Sequence, residues 1–212
     1  MGETKGYRGV GFYIKKRMWK YVYEIRGVNE RICLAKLELE NKVKMVIIQV
    51  YAPILDAEDE EKTQFYESLC NVINEEREYY TVVMGDFNGK VGKGRRNTSA
   101  QTIIGRYAAS DTTNDNGKRM LELASACNLK VAGTYFKKKY SRKWTWSSPD
   151  KRTKNEIDHM LTNDMAIIKD VVPLNRVEVS SDHRLVRSRI VIERRARYYL
   201  SLIHISEPTR PY

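Results

Sequence analysis

The chain has 212 residues, of which 42% are hydrophobic and 31% charged, and its 38 lysines and arginines outnumber its 27 acidic residues to give a net charge of +11. That length fits one domain with a sizeable core, and no Pro-, Gly- or Ser-rich linker divides it. The lack of a long apolar run argues against a membrane protein. The basic excess favours a polyanionic partner, with a solvated basic face as the alternative.

The cysteine content bears on the compartment. Cys33, Cys70 and Cys127 are odd in number and lack the Cys-x-x-Cys or Cys/His spacing of a metal site. They are typical of small core residues without disulfides, and residues 1–6 carry no apolar signal-peptide core. We therefore expect an intracellular protein, nuclear or cytoplasmic.

The first quarter of the chain is rich in predicted strands. Apolar alternation or continuous apolar runs predict strands at residues 7–14, 19–25, 32–39 and 43–50. The last of these is nearly continuous Val, Ile and Met, which is typical of a central strand covered on both faces. Because Pro53 cannot donate to a β-ladder, this strand ends there and presents Tyr51 at its end.

Helices and strands are mixed over the rest of the chain. Acidic residues suit the first turn of a helix that starts near Asp56, and the turn at Asn114–Gly117 opens a second helix. Further strands are predicted at residues 81–85, 129–132, 144–146, 157–161, 171–177 and 185–192. This mixture predicts an α/β sandwich and argues against a simple doubly wound sheet.

The segment Val82–Gly89 places polar groups at the end of a strand. An apolar run ends in Gly85, after which the chain offers the carboxylate of Asp86 and the carboxamide of Asn88. Polar groups at the carboxyl end of a strand are a common way to build a rigid site. The alternative is an Asx-turn that closes a structural loop.

Two histidines directly follow aspartates, in Asp158-His159 and Asp182-His183. A carboxylate can orient a histidine and keep it basic enough to take a proton from water near neutral pH. Oxygen groups such as those of Asp86 and Asn88 suit Mg²⁺, which keeps several waters and binds phosphates. Together these residue types fit metal-assisted hydrolysis of a phosphoester. Each Asp-His pair taken alone is as consistent with a turn.

Six short motifs follow one another along the chain: Gly9–Phe12, Val50–Pro53, Gly85–Asn88, Thr145–Trp146 with Ser148–Asp150, Ile157–His159 and Ser181–His183. In this order they resemble the endonuclease/exonuclease/phosphatase superfamily. Within it they are similar to the abasic-endonuclease-like domains of LINE-type retrotransposons and to the retrotransposon-derived craniofacial development protein 2-like family. The resemblance extends from residue 6 to residue 192. It implies a four-layer α/β sandwich with two mixed β-sheets face to face and helices outside.

The resemblance also implies residue roles. His183 would be the general base for the attacking water, oriented by Asp158. Asp86 would act at the reacting phosphate, Asn88 would hold a phosphate oxygen, and Tyr51 would stabilise the developing charge. The ligands it implies for Mg²⁺ or Mn²⁺ are Asp86, Asn88, Asp182 and His183.

Two strands that open the superfamily fold are not found before Gly6. The first carries an asparagine, and the second ends in Gln-Glu, whose glutamate is a principal metal ligand. We therefore expect a chain that lacks these first strands and holds metal less well, since even outer groups around a metal change affinity or activity by about 10- to 100-fold. Residues 196–212 resemble a translated sequencing adaptor, so the expected domain spans residues 6–195.

Three basic runs lie on predicted loops, at residues 93–96, 137–143 and 151–154. Such side chains neutralise phosphates, so we expect DNA as the partner, with a solvated basic rim as the alternative. Aromatic residues among these runs could stack on bases or pack in the core: Tyr140, Trp144 and Trp146.

Three functions fit these features to different degrees. The leading hypothesis is a metal-dependent phosphodiester hydrolase of the DNA endonuclease type, derived from a retrotransposon and weakened by the missing strands. The alternative is a non-catalytic nucleic-acid- or chromatin-binding module on the same scaffold. A small-molecule or lipid phosphodiesterase ranks third, because the basic loops suit a long polyanion.

Overall fold

The computed structural model of the chain describes residues 9–93, 103–175 and 181–192. The strands in these ranges are β1 (Val22–Asn29), β2 (Ile32–Glu38), β3 (Lys44–Tyr51), β4 (Tyr80–Asp86), β5 (Lys130–Val131), β6 (Trp146–Ser147), β7 (Lys154–Asn155), β8 (Asp158–Thr162), β9 (Ile168–Pro173) and β10 (Val186–Ile190). Six form one mixed sheet in the order β1-β2-β3-β4-β8-β5, in which β3 and β4 are parallel and all other neighbours are antiparallel. The pairs β9-β10 and β6-β7 form two small antiparallel sheets.

Two helices cover one face of the large sheet. They are α1 (Asp59–Glu75), which carries three acidic residues in its first turn, and α2 (Asp115–Ala126). The Asn114 side chain caps α2 by accepting a hydrogen bond from the backbone N–H of Gly117, which satisfies one of the unpaired donors of a helix start. Their apolar stripes share one buried core with the strands; its members include Leu34, Ile48, Leu69, Val83, Met120 and Leu123.

The pair β9-β10 packs on the opposite face of the large sheet. Ile168 and Val171 of β9 share a second buried cluster with Met45, Val82 and Met160 of the large sheet. Successive residues of a strand point to opposite faces, so Met45 and its neighbour Val46 belong to different cores. The predicted α/β sandwich is confirmed, and the described residues supply its helical layer, its mixed sheet and a second, smaller sheet.

Most predicted elements of the first half are present. The continuous apolar run forms β3, which lies between β2 and β4 as predicted for a central strand. The strand predicted at residues 7–14 is wrong for its described part, because residues 9–15 form no strand and Tyr13 is 96% exposed. With no sheet face to cover, apolar side chains in that stretch gain nothing from an extended conformation. The alternation from Trp19 also begins too early, since a 3₁₀ helix at Lys16–Tyr21 precedes β1.

The three cysteines lie in different parts of the fold. All three are free, and the Sγ atoms of Cys70 and Cys127 lie 3.5 Å apart. Within the described ranges, no helix combines the length and apolarity needed to cross a bilayer. The predicted tail at 196–212 and Val177 lie outside the described residues.

Candidate functional site

Three side chains that the sequence singled out lie in one row across neighbouring strands. The parallel register of β3 and β4 pairs Tyr51 with Asp86, and the antiparallel register of β4 and β8 pairs Asp86 with Asp158. Paired residues on neighbouring strands project from the same face of a sheet. The fold therefore brings one phenol and two carboxylates to the same end of the sheet.

Asp86 forms a turn and also faces the other site groups. Its Oδ1 accepts a hydrogen bond of 2.8 Å from the backbone N–H of Asn88, which is the Asx-turn that the sequence left open as an alternative. Its Oδ2 lies 3.9 Å from Nε2 of His183. One oxygen of the Asp86 carboxylate therefore closes the turn, and the other faces His183.

Burial makes the Asp86 carboxylate harder to ionise. The pKa of Asp86 is raised from its ordinary 3.8 to about 6, first by burial and then by the like charge of Asp158. The hydrogen bond from Asn88 N–H and the neighbouring His183 act in the opposite direction but are weaker. Two partly buried carboxylates thus share a space that favours positive charge.

His183 reaches this row from the turn before β10. Its Nδ1 lies 3.0 Å from Oδ2 of Asp158, and this hydrogen bond is the main reason why the pKa of His183 is raised. Because a carboxylate accepts and does not donate, Nδ1 carries the proton in this contact, and Nε2 is left facing Asp86. The arrangement is that of a general base oriented by a carboxylate.

The turn that carries His183 is fixed to β6. The backbone N–H of Ser147 donates to Asp182 O at 3.0 Å, and that of Arg184 donates to Thr145 O at 2.7 Å. Trp146 and His183 form an isolated antiparallel bridge. These backbone contacts hold His183 over the large sheet without any contribution from its own side chain.

Thr145 positions Asp158 from beneath, a role that the sequence did not indicate. The side chain is 1% exposed, and its Oγ1 accepts hydrogen bonds from the backbone N–H groups of Ile157 (3.0 Å) and Asp158 (3.1 Å). Thr145 belongs to one of the six motifs of the resemblance, but a strand pattern does not show which way a hydroxyl points. The two bonds fix the backbone at the start of β8, where Asp158 stands.

Arg31 is a second residue that sequence reasoning missed. Its guanidinium donates to Tyr51 O at 3.1 Å and lies over the Tyr51 ring at 5.6 Å from the centroid. It also forms an ion pair with Glu61 of α1. Arg31 is 7% exposed, so it ties the end of β3 to α1 and limits the positions that Tyr51 can take.

Gly85 allows β4 to pass close to β3 just before Asp86. Its φ of +145° is one that residues with a side chain rarely adopt, and a Cβ at this position would collide with the carbonyl oxygen of Val50. The glycine that ends the apolar run is therefore required by the backbone geometry of the site.

Other predicted site residues have structural partners. The carboxylate of Asp182 is exposed, and its Oδ2 accepts a hydrogen bond of 2.8 Å from Trp146 Nε1. The Asn88 side chain donates to Ala52 O at 3.0 Å. His159 is 5% exposed, and its Nε2 lies 2.7 Å from Gly89 O, so it anchors the loop after β4. Of the four residues in the two Asp-His dipeptides, Asp158 and His183 contact each other.

A metal ion fits the donor set of this site. Among the described residues, Asp86, Asp158 and His183 each offer one ligand atom, and these atoms lie within 4.8 Å of one another. Carboxylate oxygens are the ligands that Mg²⁺ and Mn²⁺ prefer, and two carboxylates close together are stabilised by a divalent cation. Asp182 is not in this group.

A family model for endonuclease-reverse transcriptase matches residues 45–187 of the chain. This match covers more than half of the sequence and includes all the residues of the site except Arg31. The chain belongs to the endonuclease/exonuclease/phosphatase superfamily.

Curated proteins from two mammals are similar to this chain. The chain is similar to craniofacial development protein 2 of Bos taurus, with 27% identity over 207 residues that cover 96% of this chain and 33% of that protein. It is also 27% identical to craniofacial development protein 2 of Tragulus javanicus, over 96% of this chain and 34% of that protein. The chain therefore spans about a third of the length of the curated relatives it matches.

Two solved structures of this superfamily share the fold. The endonuclease domain of TRAS1, a telomere-specific non-LTR retrotransposon, has a TM-score of 0.52 and 14% identity, covering 77% of this chain and 65% of that domain. A 3′ phosphatase, NExo from Neisseria bound to product DNA hairpin, has a TM-score of 0.52 and 19% identity, covering 78% of this chain and 66% of that protein. At such identities the likeness establishes the fold alone.

Some cations of the three basic runs have structural roles. Lys143 is 5% exposed and donates to Tyr107 O, and burial lowers its pKa. Lys138 pairs with Asp170 at 2.6 Å, and Lys93 pairs with Asp111 at 2.8 Å. Residues 94–96 lie outside the described ranges. Exposed cations of the other two runs are Lys137, Lys139, Arg142, Lys151, Arg152 and Lys154.

Proposed function

We propose that this chain is a metal-dependent phosphodiester hydrolase domain of the DNA endonuclease type, derived from a retrotransposon. The observation that carries the proposal is the position of His183, which is oriented by Asp158 on one side and faces Asp86 on the other. A base and two carboxylates in one space suit attack by water on a phosphodiester.

The chain's own residues would divide the reaction between them. His183 takes the proton of the attacking water at Nε2, and Asp158 stabilises the imidazolium that results. Asp86 faces the same space and interacts with the reacting phosphate, while Tyr51, in the same row, offers a hydroxyl for the developing negative charge. Asn88, which follows Asp86 on the same turn, would hold a phosphate oxygen.

A divalent cation would be held by Asp86 and Asp158. When bound, Mg²⁺ or Mn²⁺ neutralises charge on the phosphate oxygens. Two superfamily structures, an endonuclease domain and a phosphatase bound to product DNA, support DNA as the substrate. Exposed cations on the segments 137–143 and 151–154 support it as well, because such side chains can neutralise phosphates.

A non-catalytic nucleic-acid- or chromatin-binding module is the second candidate. It is favoured by the small size of the candidate ligand group, in which the His183 ring already binds Asp158. Such a module keeps salt-sensitive DNA binding without needing a metal ion. The two functions therefore differ in how they depend on the metal.

Cleavage and binding measured side by side distinguish the two candidates. A labelled DNA duplex is incubated with the wild-type chain and with Asp86→Asn, each with Mg²⁺, with Mn²⁺ and with EDTA. The hydrolase predicts cleavage that requires metal and that Asp86→Asn reduces at least 100-fold, on the order of the loss of one stabilising group at a reacting centre. Asp111→Asn, a change at a carboxylate whose side chain is 87% exposed, is the control and keeps full activity. Binding that persists in EDTA with no cleavage under any condition supports the non-catalytic module and contradicts the hydrolase.

A further inference from the structure

Arg184 follows His183 in the chain, and both residues line one cavity. That cavity has a volume of about 610 Å³, and its lining includes Asp86, Asp158, His183 and Arg184. Arg184 is the one lysine or arginine in the described lining. Its place is fixed at the backbone, because its N–H donates to Thr145 O at 2.7 Å.

The Arg184 side chain is held in one orientation by neutral groups. Its Nη1 donates to Ser141 O at 3.1 Å and to Asn175 Oδ1 at 2.9 Å, and its guanidinium lies over the ring of Trp144. Lys154 Nζ is also 5.0 Å from the centroid of that ring. Cation–π contacts and planar hydrogen bonds of this kind are typical of a preorganised arginine.

The contacts of Arg184 leave its charge uncompensated. In contrast to Arg31, which pairs with Glu61, Arg184 forms no ion pair with a carboxylate among the described residues. Both of its side-chain hydrogen bonds use Nη1, so Nε and Nη2 have no protein acceptor in the described ranges.

We propose that Arg184 binds a phosphate of the nucleic-acid strand next to the one that is hydrolysed, and that Trp144 is the positioning residue that holds its guanidinium. Nε and Nη2 present two parallel donors, which match two oxygens of a phosphate. This assignment rests on the proposed function, since it takes the ligand of the cavity to be a nucleic-acid strand.

The salt dependence of DNA binding tests the role of Arg184. Affinity for a fluorescein-labelled duplex is measured by anisotropy in EDTA, so that binding is separated from cleavage. We expect Arg184→Gln to lower affinity about tenfold at low salt and to reduce the slope of log K against log salt by about one, as for the loss of one phosphate contact. Arg187→Gln is the matched control, because Arg187 lies on β10 with its side chain 62% exposed and does not line the cavity. Equal effects of the two changes would overturn the assignment.

A double-mutant cycle tests the role of Trp144. Trp144→Leu removes the ring beneath the guanidinium, and Trp144→Phe keeps an aromatic face and serves if the leucine variant does not fold. We expect Trp144→Leu to weaken binding in the wild-type background and to have no further effect in the Arg184→Gln background. Additive losses would show that Trp144 acts independently of Arg184 and would overturn its positioning role.

The outcome for Arg184 can be separated from that for the hydrolase. An unchanged salt slope in Arg184→Gln, together with metal-dependent cleavage by the wild type, would overturn this inference and leave the proposed function in place. A reduced slope without any cleavage would support the phosphate contact and contradict the hydrolase.

Discussion

Nδ1 of His183 lies 3.0 Å from Oδ2 of Asp158, although the two residues are 25 positions apart in the chain. Each of them pairs with the other and not with the Asp or His that is its direct neighbour in the sequence. The contact joins the turn before β10 to the start of β8, so it exists only when the small sheet is docked on the large one. Integrity of the site and docking of β9-β10 are thereby coupled.

The first prediction concerns the basicity of His183. Asp158 raises the pKa of His183 in the folded protein above its ordinary value of 6.5. Protonated His183 therefore stabilises the fold fully at a pH below 6.5, and this stabilisation is lost as the pH rises through the pKa of the folded protein. Asp158→Asn should therefore lower the pKa of His183 and reduce stability more at pH 5.5 than at pH 8. NMR titration of the ring, with the signal assigned by its loss in His183→Gln, measures the shift. A pKa that is unchanged in Asp158→Asn would show that Asp158 does not orient the His183 ring.

The second prediction concerns the stability that the protein loses when the buried Asp86 carboxyl group ionises. Folding raises the pKa of Asp86 to about 6, so its contribution to stability is most favourable below about pH 4, decreases as the pH rises to 6, and is constant above that. Since its side chain is 14% exposed, the cost at pH 7.5 is on the order of 2 to 3 kcal/mol. Asp86→Asn keeps an acceptor for Asn88 N–H and should raise the free energy of unfolding in EDTA at pH 7.5, with a smaller gain near pH 4. Urea denaturation at both pH values gives the comparison, with Glu67→Gln, a change at an exposed carboxylate of α1, as the control. An equal gain in stability at both pH values would show that the effect of Asp86→Asn does not come from removing a charge.

The third prediction tests the support that Thr145 gives to Asp158. Thr145→Val keeps the shape of the side chain but leaves two buried N–H groups without an acceptor, so we expect a loss of about 2 to 4 kcal/mol in stability. Thr145→Ser keeps the hydroxyl and should lose much less, which makes it the matched control. Thermal and urea unfolding of both variants provides the measurement. Similar losses for valine and serine would indicate a packing role in place of the hydrogen bonds.

The fourth prediction follows from the backbone of Gly85. A Cβ at this position meets the Val50 carbonyl, and the φ of +145° is strained for alanine. Gly85→Ala should therefore lower the free energy of unfolding by about 3 kcal/mol or more, or prevent folding. Gly27→Ala, where the added Cβ has no atom within 4 Å, is the control in β1 and should change stability far less. A well-folded Gly85→Ala variant with wild-type stability would contradict the close approach of β3 and β4.

Local patterns in the sequence predict a strand or helix well when residues within that one segment determine its structure. The apolar run of β3, its end before Pro53 and the acidic start of α1 each depend on neighbouring residues, and each is found in the structure. Strand patterns fail at residues 9–14, which form no strand and pair with none of the described strands.

Contacts between distant segments are less accessible from the sequence. The resemblance implied that Asp158 orients His183, and the structure places the two in contact. It also implied a metal role for Asp182, whose Oδ2 accepts a hydrogen bond from Trp146 Nε1, a contact that depends on how the turn before β10 lies on β6. Thr145 and Arg184 were missed for the same reason, because hydrogen bonds of a hydroxyl or guanidinium to distant backbone leave no periodic pattern.

Nicking of supercoiled plasmid by wild type and His183→Ala tests the role of His183 as the general base most directly. We expect wild-type protein to nick the plasmid with Mg²⁺ or Mn²⁺ and not with EDTA, and His183→Ala to reduce the rate by about 100- to 10,000-fold, the range attributed to general base catalysis. Asp111→Asn should retain the wild-type rate. Equal nicking by wild type and His183→Ala, with both proteins folded, would contradict the assignment of His183 as the base.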